Sequence, residues 1–259
     1  TGLSLIILFP VWMTIVRALS EPFIYIEEGQ PLYPVSIDWG VFSTAWSDGD
    51  LGRSMALTLL VTAIITVFQL VTSVLAAYSF AFVRFPFKNT LFVVLLASLL
   101  LPVEVTLIAN VRTIRGLGWL DSAQGLSAPF LASAFGIFLI RQGFLGVPSE
   151  LRDAARIDGF GHFAFLRRVA IPVNRPIIAS FTLITALAAW NQYLWPRTAT
   201  TQERWETIQV TLRSISVQRP ERFNVGVAAA IIASLPILAL LVVFQRQIIR
   251  GLTAGAVKG

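Results

Sequence analysis

Apolar and polar positions alternate along this chain in long blocks rather than at short period. Six apolar runs, near Gly2–Leu19, Met55–Val83, Thr90–Ala109, Ser122–Ile140, Ile177–Trp195 and Val225–Phe244, are each long enough to cross a bilayer, which takes about 20 helical residues. The pattern predicts six membrane-spanning helices, the second long enough to tilt or to start outside the hydrocarbon. Turn chemistry separates them at Asp48-Gly49-Asp50, Arg84-Phe85-Pro86, Gly116-Leu117-Gly118 and Arg219-Pro220-Glu221. No Gly/Ser linker, long charge run or short repeat divides the chain, so residues 1–259 are expected to form a single transmembrane domain. Thr1 lies inside an apolar run, and the first helix is expected to be truncated at its N-terminal end.

One block departs from the pattern. Glu150 to Pro176 is a polar, basic island in an otherwise apolar sequence. Pro148 and Ser149 stand where a turn and an N-cap belong, with Glu150 and Asp153 in the first helical turn near the positive end of the dipole. Leu151, Ala154 and Ala155 share one face at helical spacing, leaving room for close approach of another protein, and Arg152, Asp153 and Arg156 flank it. Gly159 is a natural stop. A second short helix is expected to run to Val169, ended by Pro172 and Pro176.

Composition narrows the class. Hydrophobic residues make up 56% and charged residues 13%, with a mean hydropathy of +0.74, and a soluble domain carries about twice that charged fraction. Cys is absent and His162 is the single histidine. Disulfides, thiol chemistry and His- or Cys-clustered metal sites are therefore excluded, and Ser-His-Asp catalysis is disfavoured. The net charge of +6 is spread over helix ends and short loops, not along one soluble face as nucleic-acid binding requires. The charge count decides orientation poorly. Placing the 150–176 loop inside puts eleven Lys/Arg inside (84, 88, 141, 152, 156, 167, 168, 175, 246, 250 and 258) against nine outside.

The order Asp153-Ala154-Ala155-x-x-Asp158-Gly159, then Phe165, then Ile171-Pro172, resembles the signature cytoplasmic loop of ABC importer permeases, whose consensus is E-A-A, G, then I-x-L-P. Asp153 stands where that consensus has Glu, and Phe160 replaces the usual Ala after Gly159. The runs Leu99–Val105, Leu120–Leu126, Phe130–Phe144, Trp190–Pro196 and Gln245–Gly259 extend the resemblance to carbohydrate-type permeases, and within these to the second permeases of glycerol-3-phosphate importers. The resemblance implies a type I ABC importer permease fold, all-α with six transmembrane helices. It also implies a coupling helix within a loop at about 142–176, and both termini in the cytoplasm of a bacterial inner membrane. The implied partners are a homologous second permease, two ATPase subunits, an extracytoplasmic binding protein and the lipid bilayer. The chain lacks G-x-x-x-x-G-K-[ST], so it is expected to bind no cofactor itself, with ATP and Mg used by the ATPase subunits. The implied cargo is glycerol-3-phosphate or a glycerophosphodiester, with a neutral sugar such as a disaccharide as the alternative.

The resemblance makes Glu150, Arg152, Asp153, Ala154, Ala155, Arg156, Asp158 and Gly159 the candidate ATPase-coupling residues. Asp153 can pair with a basic residue of the ATPase groove or serve only as a helix N-terminal charge. Arg152 and Arg156 are partner contacts or ordinary cytosolic anchors. His162 reads as a loop residue without chemistry. Trp190, Asn191, Gln192 and Tyr193 gather amide and aromatic groups near the outer end of the fifth span, suited to a polyol pathway or to an interfacial belt; Trp195 reads as belt. Glu104, an intramembrane carboxylate in the third span, is a pathway or a structural-pair residue, and Gln69 an interhelical hydrogen bond or a cavity contact. Arg112 and Arg115, in the loop after that span, suit an anionic substrate, the binding protein or snorkelling. Two other classes compete. An ion-coupled secondary carrier needs intramembrane ionisable pairs, and only Glu104 is available; a membrane enzyme needs clustered nucleophile, base or metal ligands.

Overall fold

The computed structural model describes residues 2–256. Every regular element among them is helical. In chain order the helices are α1 (Gly2–Leu19), α2 (Pro22–Glu27), α3 (Val41–Asp48), α4 (Leu51–Phe82), α5 (Lys88–Ala97) and α6 (Val103–Gly116). There follow α7 (Ala123–Ser127), α8 (Ala134–Leu145), α9 (Ser149–Ile157), α10 (His162–Phe165), α11 (Ile171–Val173) and α12 (Arg175–Trp190). The last three are α13 (Leu194–Ala199), α14 (Ile208–Gln218) and α15 (Phe223–Ala256). The expected resemblance of Gln245–Gly259 and the placement of Lys258 fall partly or wholly outside the described residues.

Two helices are long and apolar enough to span a bilayer without a break, Leu51–Phe82 and Pro220–Gln245. Three further spans arise only if bent pairs are counted as one each. These are Lys88–Leu100 with Glu104–Gly116 at 100°, Ala123–Phe130 with Ala134–Leu145 at 49°, and His162–Val173 with Arg175–Trp190 at 81°. Ser4–Leu19 is apolar but shorter. The third and fourth apolar runs are thus not the straight helices expected from hydropathy, whereas the fifth lies in α12 as far as Trp190 and the 81° bend precedes it; each break has a local cause. Pro102 has no N–H and drives Leu101 into extended backbone (φ −83°, ψ 117°). Ser133 is an N-cap whose hydroxyl accepts from the Gly136 N–H at 3.1 Å, restarting the helix after the 3₁₀ turn Ala128–Phe130. Asn174, buried, donates from Nδ2 to the Ala170 carbonyl at 2.9 Å and ends α11 one residue before α12 begins.

The chain forms two compact units. The first contains residues 2–59 and 192–239. Within it Val16, Tyr25 and Val35 pack with Phe223. The Ser54 and Thr211 hydroxyls share a hydrogen bond of 2.8 Å, and the Ile208 N–H donates to Thr58 Oγ1 at 2.8 Å. Arg219 pairs with Asp48. These short polar ties hold α14 against the start of α4.

The second unit takes residues 60–191 and 240–256. Its core is Val74, Ala77, Tyr78, Ile140, Phe144, Ala155, Phe165, Leu166, Ala170 and Phe181, drawn from α4, α8, α9, α10, the π-helical turn Leu166–Ala170 and α12. The polar island is therefore part of the packed body. One face of α9 and α10 is buried on the same aromatic cluster that joins α4 to α8.

Candidate functional site

The polar island folds as α9, a turn, α10, a π-helical turn and α11. Pro148, with ψ 141°, is the N-cap and Ser149 is the first helical residue; neither caps through a side chain. At the other end Gly159 takes φ +73°. The Phe160 N–H reaches the Ala155 carbonyl at 2.8 Å and the Gly159 N–H the Arg156 carbonyl at 3.0 Å. This crossed pair is a Schellman stop, which needs a residue at positive φ. Phe160, where the consensus has Ala, is half-buried beside the core, with the Arg168 guanidinium 5.2 Å from its ring centroid. Pro172 does not end the second helix as expected. The π-helical turn ahead of it continues into α11, whose second residue it is; such wide turns are frequent at functional positions.

The apolar face of α9 divides. Ala155 is 5% exposed and lies in the core cluster, so it is spent on this chain's own support and is not part of an outward face. A helix lying on a body buries part of its apolar stripe there, and here the buried residue is Ala155. Leu151, Ala154 and Ile157, the last 87% exposed, form the outward apolar surface. Glu150, Arg152, Asp153, Arg156, Asp158 and Gly159 are all exposed around it. Asp153 and Arg156 pair at 3.6 Å with most of both side chains in solvent, a contact worth about 0–1 kcal/mol. The Asp153 carboxylate is thus held loosely and can be exchanged for a stronger partner.

His162 is more than a loop residue. It opens α10, and its Nδ1 lies 2.9 Å from the Tyr78 hydroxyl of α4, with the two rings edge to face. Tyr78 in turn packs with Phe82, Phe144 and Phe165. α9 and α10 are therefore tied to α4 through an aromatic core and a directional hydrogen bond. In sequence, Tyr78 is one more aromatic residue at the end of an apolar run.

The candidate pathway residues separate. Trp190 ends α12, is 3% exposed, and its Nε1 is buried with no hydrogen-bond partner among the described residues. Asn191 is the C-cap of α12, exposed, and its Nδ2 donates to the Leu187 carbonyl at 2.8 Å. Gln192 is half-buried, and its Oε1 is a second buried atom without a partner among the described residues. Tyr193 is 40% exposed. Unpaired buried polar atoms are rare in finished structures, and Trp190 and Gln192 each hold one. Trp195 is buried at 4%, not a lipid-facing belt residue. Gln69 is committed within its unit: Nε2 donates to the Phe130 carbonyl at 2.7 Å, and Oε1 accepts from Thr185 Oγ1 at 3.3 Å. That geometry is the interhelical tie. Glu104 is exposed in the first turn of α6, just after the Pro102 break, toward the positive end of that helix's dipole; it is not inside a continuous span.

The long apolar helices and bent apolar pairs make this a helical membrane protein, with α9 an amphipathic helix that presents an exposed face. The chain belongs to the family of binding-protein-dependent transport system inner membrane components, whose pattern matches residues 69–254. It is 34% identical over 256 residues to the sn-glycerol-3-phosphate transport system permease protein UgpE of Yersinia enterocolitica, covering 96% of this chain and 91% of that protein. Against the protein of the same name from Rhizobium meliloti it is 35% identical over 257 residues, with the same coverage. The fold matches that of a bacterial ABC transporter involved in the import of the acidic polysaccharide alginate, at a TM-score of 0.81 and 24% identity, over 94% of this chain and 91% of that one. The protein is thus a multi-pass inner-membrane permease of an ABC importer served by a binding protein. It has the type I permease fold and no ATPase site of its own, ATP being used by the partner ATPase.

Proposed function

We propose that this chain, as one transmembrane domain with six spans and both termini in the cytoplasm, forms half of a translocation pathway for sn-glycerol-3-phosphate or a glycerophosphodiester. A homologous second permease supplies the other half, two ATPase subunits drive it, and an extracytoplasmic binding protein delivers the cargo. The observation that carries the coupling part is α9 itself, a Schellman-stopped helix offering Leu151, Ala154 and Ile157 outward while Ala155 is seated on the core. Its position in the family loop makes it the helix that docks on the ATPase. Closure of the ATPase dimer pushes α9 and α10, and the Tyr78–His162 contact passes that push to α4. The cargo part rests on the two relatives named for glycerol-3-phosphate transport.

The test is ATPase stimulation of the reconstituted importer with its binding protein. Glycerol-3-phosphate or a glycerophosphodiester is expected to stimulate, and neutral disaccharides are not. Raising the salt should slow delivery modestly, since exposed charge is screened beyond about 8 Å at physiological ionic strength. Stimulation by maltose or trehalose alone would refute the cargo and leave the permease standing; Glu104, exposed at the α6 break, is the residue that would then be explained.

In the pathway, Trp190, Asn191, Gln192 and Tyr193 are proposed to meet the cargo. The buried, unpaired Gln192 Oε1 and Trp190 Nε1 are groups that a hydroxyl or a second permease can satisfy. Glu104, exposed in the first turn of α6, is proposed to face the same pathway, and Gln69 ties α12 to α4 through Thr185. Asn191→Leu and Gln192→Leu keep bulk and remove directional hydrogen bonding, so assembly should be intact while uptake at limiting substrate weakens by about 1–3 kcal/mol of lost pairing. Wild-type uptake in both variants would return these residues to a structural role.

A further inference from the structure

A cavity lined with charge lies beside α9, and none of the proposed pathway residues lines it. It has a volume of about 530 Å³ and is walled by the end of α4, the start of α5, and the α9–α10 turn. Arg84, Lys88, Arg152 and Arg156 line it together with Tyr78 and His162, and no Asp or Glu does. Some of this charge is already engaged. Lys88 Nζ donates to the Val83 carbonyl at 3.0 Å and the Ala81 carbonyl at 3.4 Å, satisfying exposed acceptors at the C-terminal end of α4. Arg156 has Asp153 at 3.6 Å on its other side. Among the described residues, Arg84 and Arg152 have no acidic group within ion-pair distance.

Four cations converging on one concavity, with only Arg156 near a carboxylate, repel one another, and the arrangement is relieved by an anion. The walls say which kind. Phe82, Val83, Phe160 and Phe165 line the same cavity, and Phe87, 78% exposed at φ +57°, and Phe163, 73% exposed, stand next to it in the chain. A free phosphate has no use for this apolar surface; a phosphate joined to acyl chains does. The long apolar helix α4 also ends here, so the proposed placement of the loop puts the cavity near the membrane surface. Basic pockets at the cytoplasmic ends of membrane helices suit anionic headgroups, and the volume is that of a ligand larger than phosphate.

We infer that the cavity bounded by Arg84, Lys88, Arg152 and Arg156 binds the phosphate headgroup of an anionic phospholipid from the inner leaflet, wedged between the coupling helix and the α4–α5 turn. The inference rests on the proposed cytoplasmic placement of the 150–176 loop. Lipid held there braces α9 against α4, so the support of the coupling helix includes a component of the membrane.

The test uses the purified importer complex in nanodiscs of phosphatidylcholine containing a minority of phosphatidylglycerol, with retained lipid counted by native mass spectrometry after detergent transfer. Arg84 lies in an exposed turn and has no assigned role in coupling or transport, so Arg84→Gln and Arg84→Glu are expected to assemble normally. The wild type should retain phosphatidylglycerol in preference to phosphatidylcholine. Arg84→Gln should lower that retention about fivefold, the share of one basic residue near an anionic surface, and Arg84→Glu should lower it further. Equal retention of the two lipids by the wild type, or phosphatidylglycerol retention unmoved by both variants, would overturn the site. Saturable binding of inorganic phosphate with no lipid retained would overturn the lipid and assign a soluble phosphate. The lipid count is independent of cargo: a failed ligand panel leaves it unchanged, and a failed lipid count leaves ligand-stimulated ATPase activity intact.

Discussion

Asp153→Lys is expected to abolish ligand-driven ATPase activity and uptake while the chain still reaches the membrane at wild-type levels. Folding has little stake in this carboxylate. Its one ion pair, to Arg156 at 3.6 Å, is solvent-exposed on both sides and contributes about 0–1 kcal/mol. Asp153 lies beyond the first turn of α9, where Glu150 is the acidic residue, so the helix dipole adds little to it. The proposed interface is different. A carboxylate facing a basic groove in a partly desolvated contact is worth about 2–5 kcal/mol when its partner is lost, and reversal replaces attraction with repulsion. Lysine keeps helix propensity, so α9 itself should persist. Membrane abundance, co-purification of the ATPase and stimulated ATPase rate are measured together. Normal coupling in this variant would remove Asp153 from the interface.

Gly136→Val is expected to fail earlier, at assembly. Gly136 is buried in the first turn of α8. A Cβ built there would press into the ring of Phe181 on α12 and stand 2.5 Å from Ser73 Oγ on α4. Phe181 is 1% exposed and Ser73 0%, so neither has space to yield. Close approach over a small residue is how helices associate where lipid removes the hydrophobic drive, and overfilling such a contact costs about 1–3 kcal/mol or more. Valine adds two methyl groups beyond that Cβ. The variant should show lost membrane yield, early elution or proteolysis, with Gly136→Ala between it and the wild type. Wild-type yield and thermal midpoint for Gly136→Val would contradict the packing.

How far the sequence carried the argument depended on the element. The ends of α1 coincide with the first apolar run, and α4 extends the second by one turn at its start, because a long apolar block in lipid must satisfy its backbone internally and does so as helix; α1 stays helical through Pro10. The third and fourth runs look the same by hydropathy and are bent by 100° and 49°, and the fifth is preceded by a bend of 81° at Asn174. Hydropathy reports transfer free energy, whereas a bend comes from a missing N–H at Pro102 or from side-chain caps at Ser133 and Asn174. The short helices α2, α3, α13 and α14 escaped notice for a related reason: they are too short or too mixed for periodicity to register.

The candidate coupling helix was legible almost residue by residue. Its stop at Gly159, its exposed charges and its place in the chain all follow from spacing and turn chemistry, and the family follows from that loop. The burial of Ala155, the contact of His162 with Tyr78 and the gathering of Arg84 and Lys88 with Arg152 and Arg156 did not follow. Each joins residues four to eighty-four positions apart, and nothing in a local pattern states which helix will lie beside which. What the sequence alone determined was a helical membrane permease with a coupling loop, since both class and motif are local properties of composition and order. Which face of α9 looks outward, and what supports it, was decided only by the tertiary structure, because burial is a property of neighbours brought together by packing.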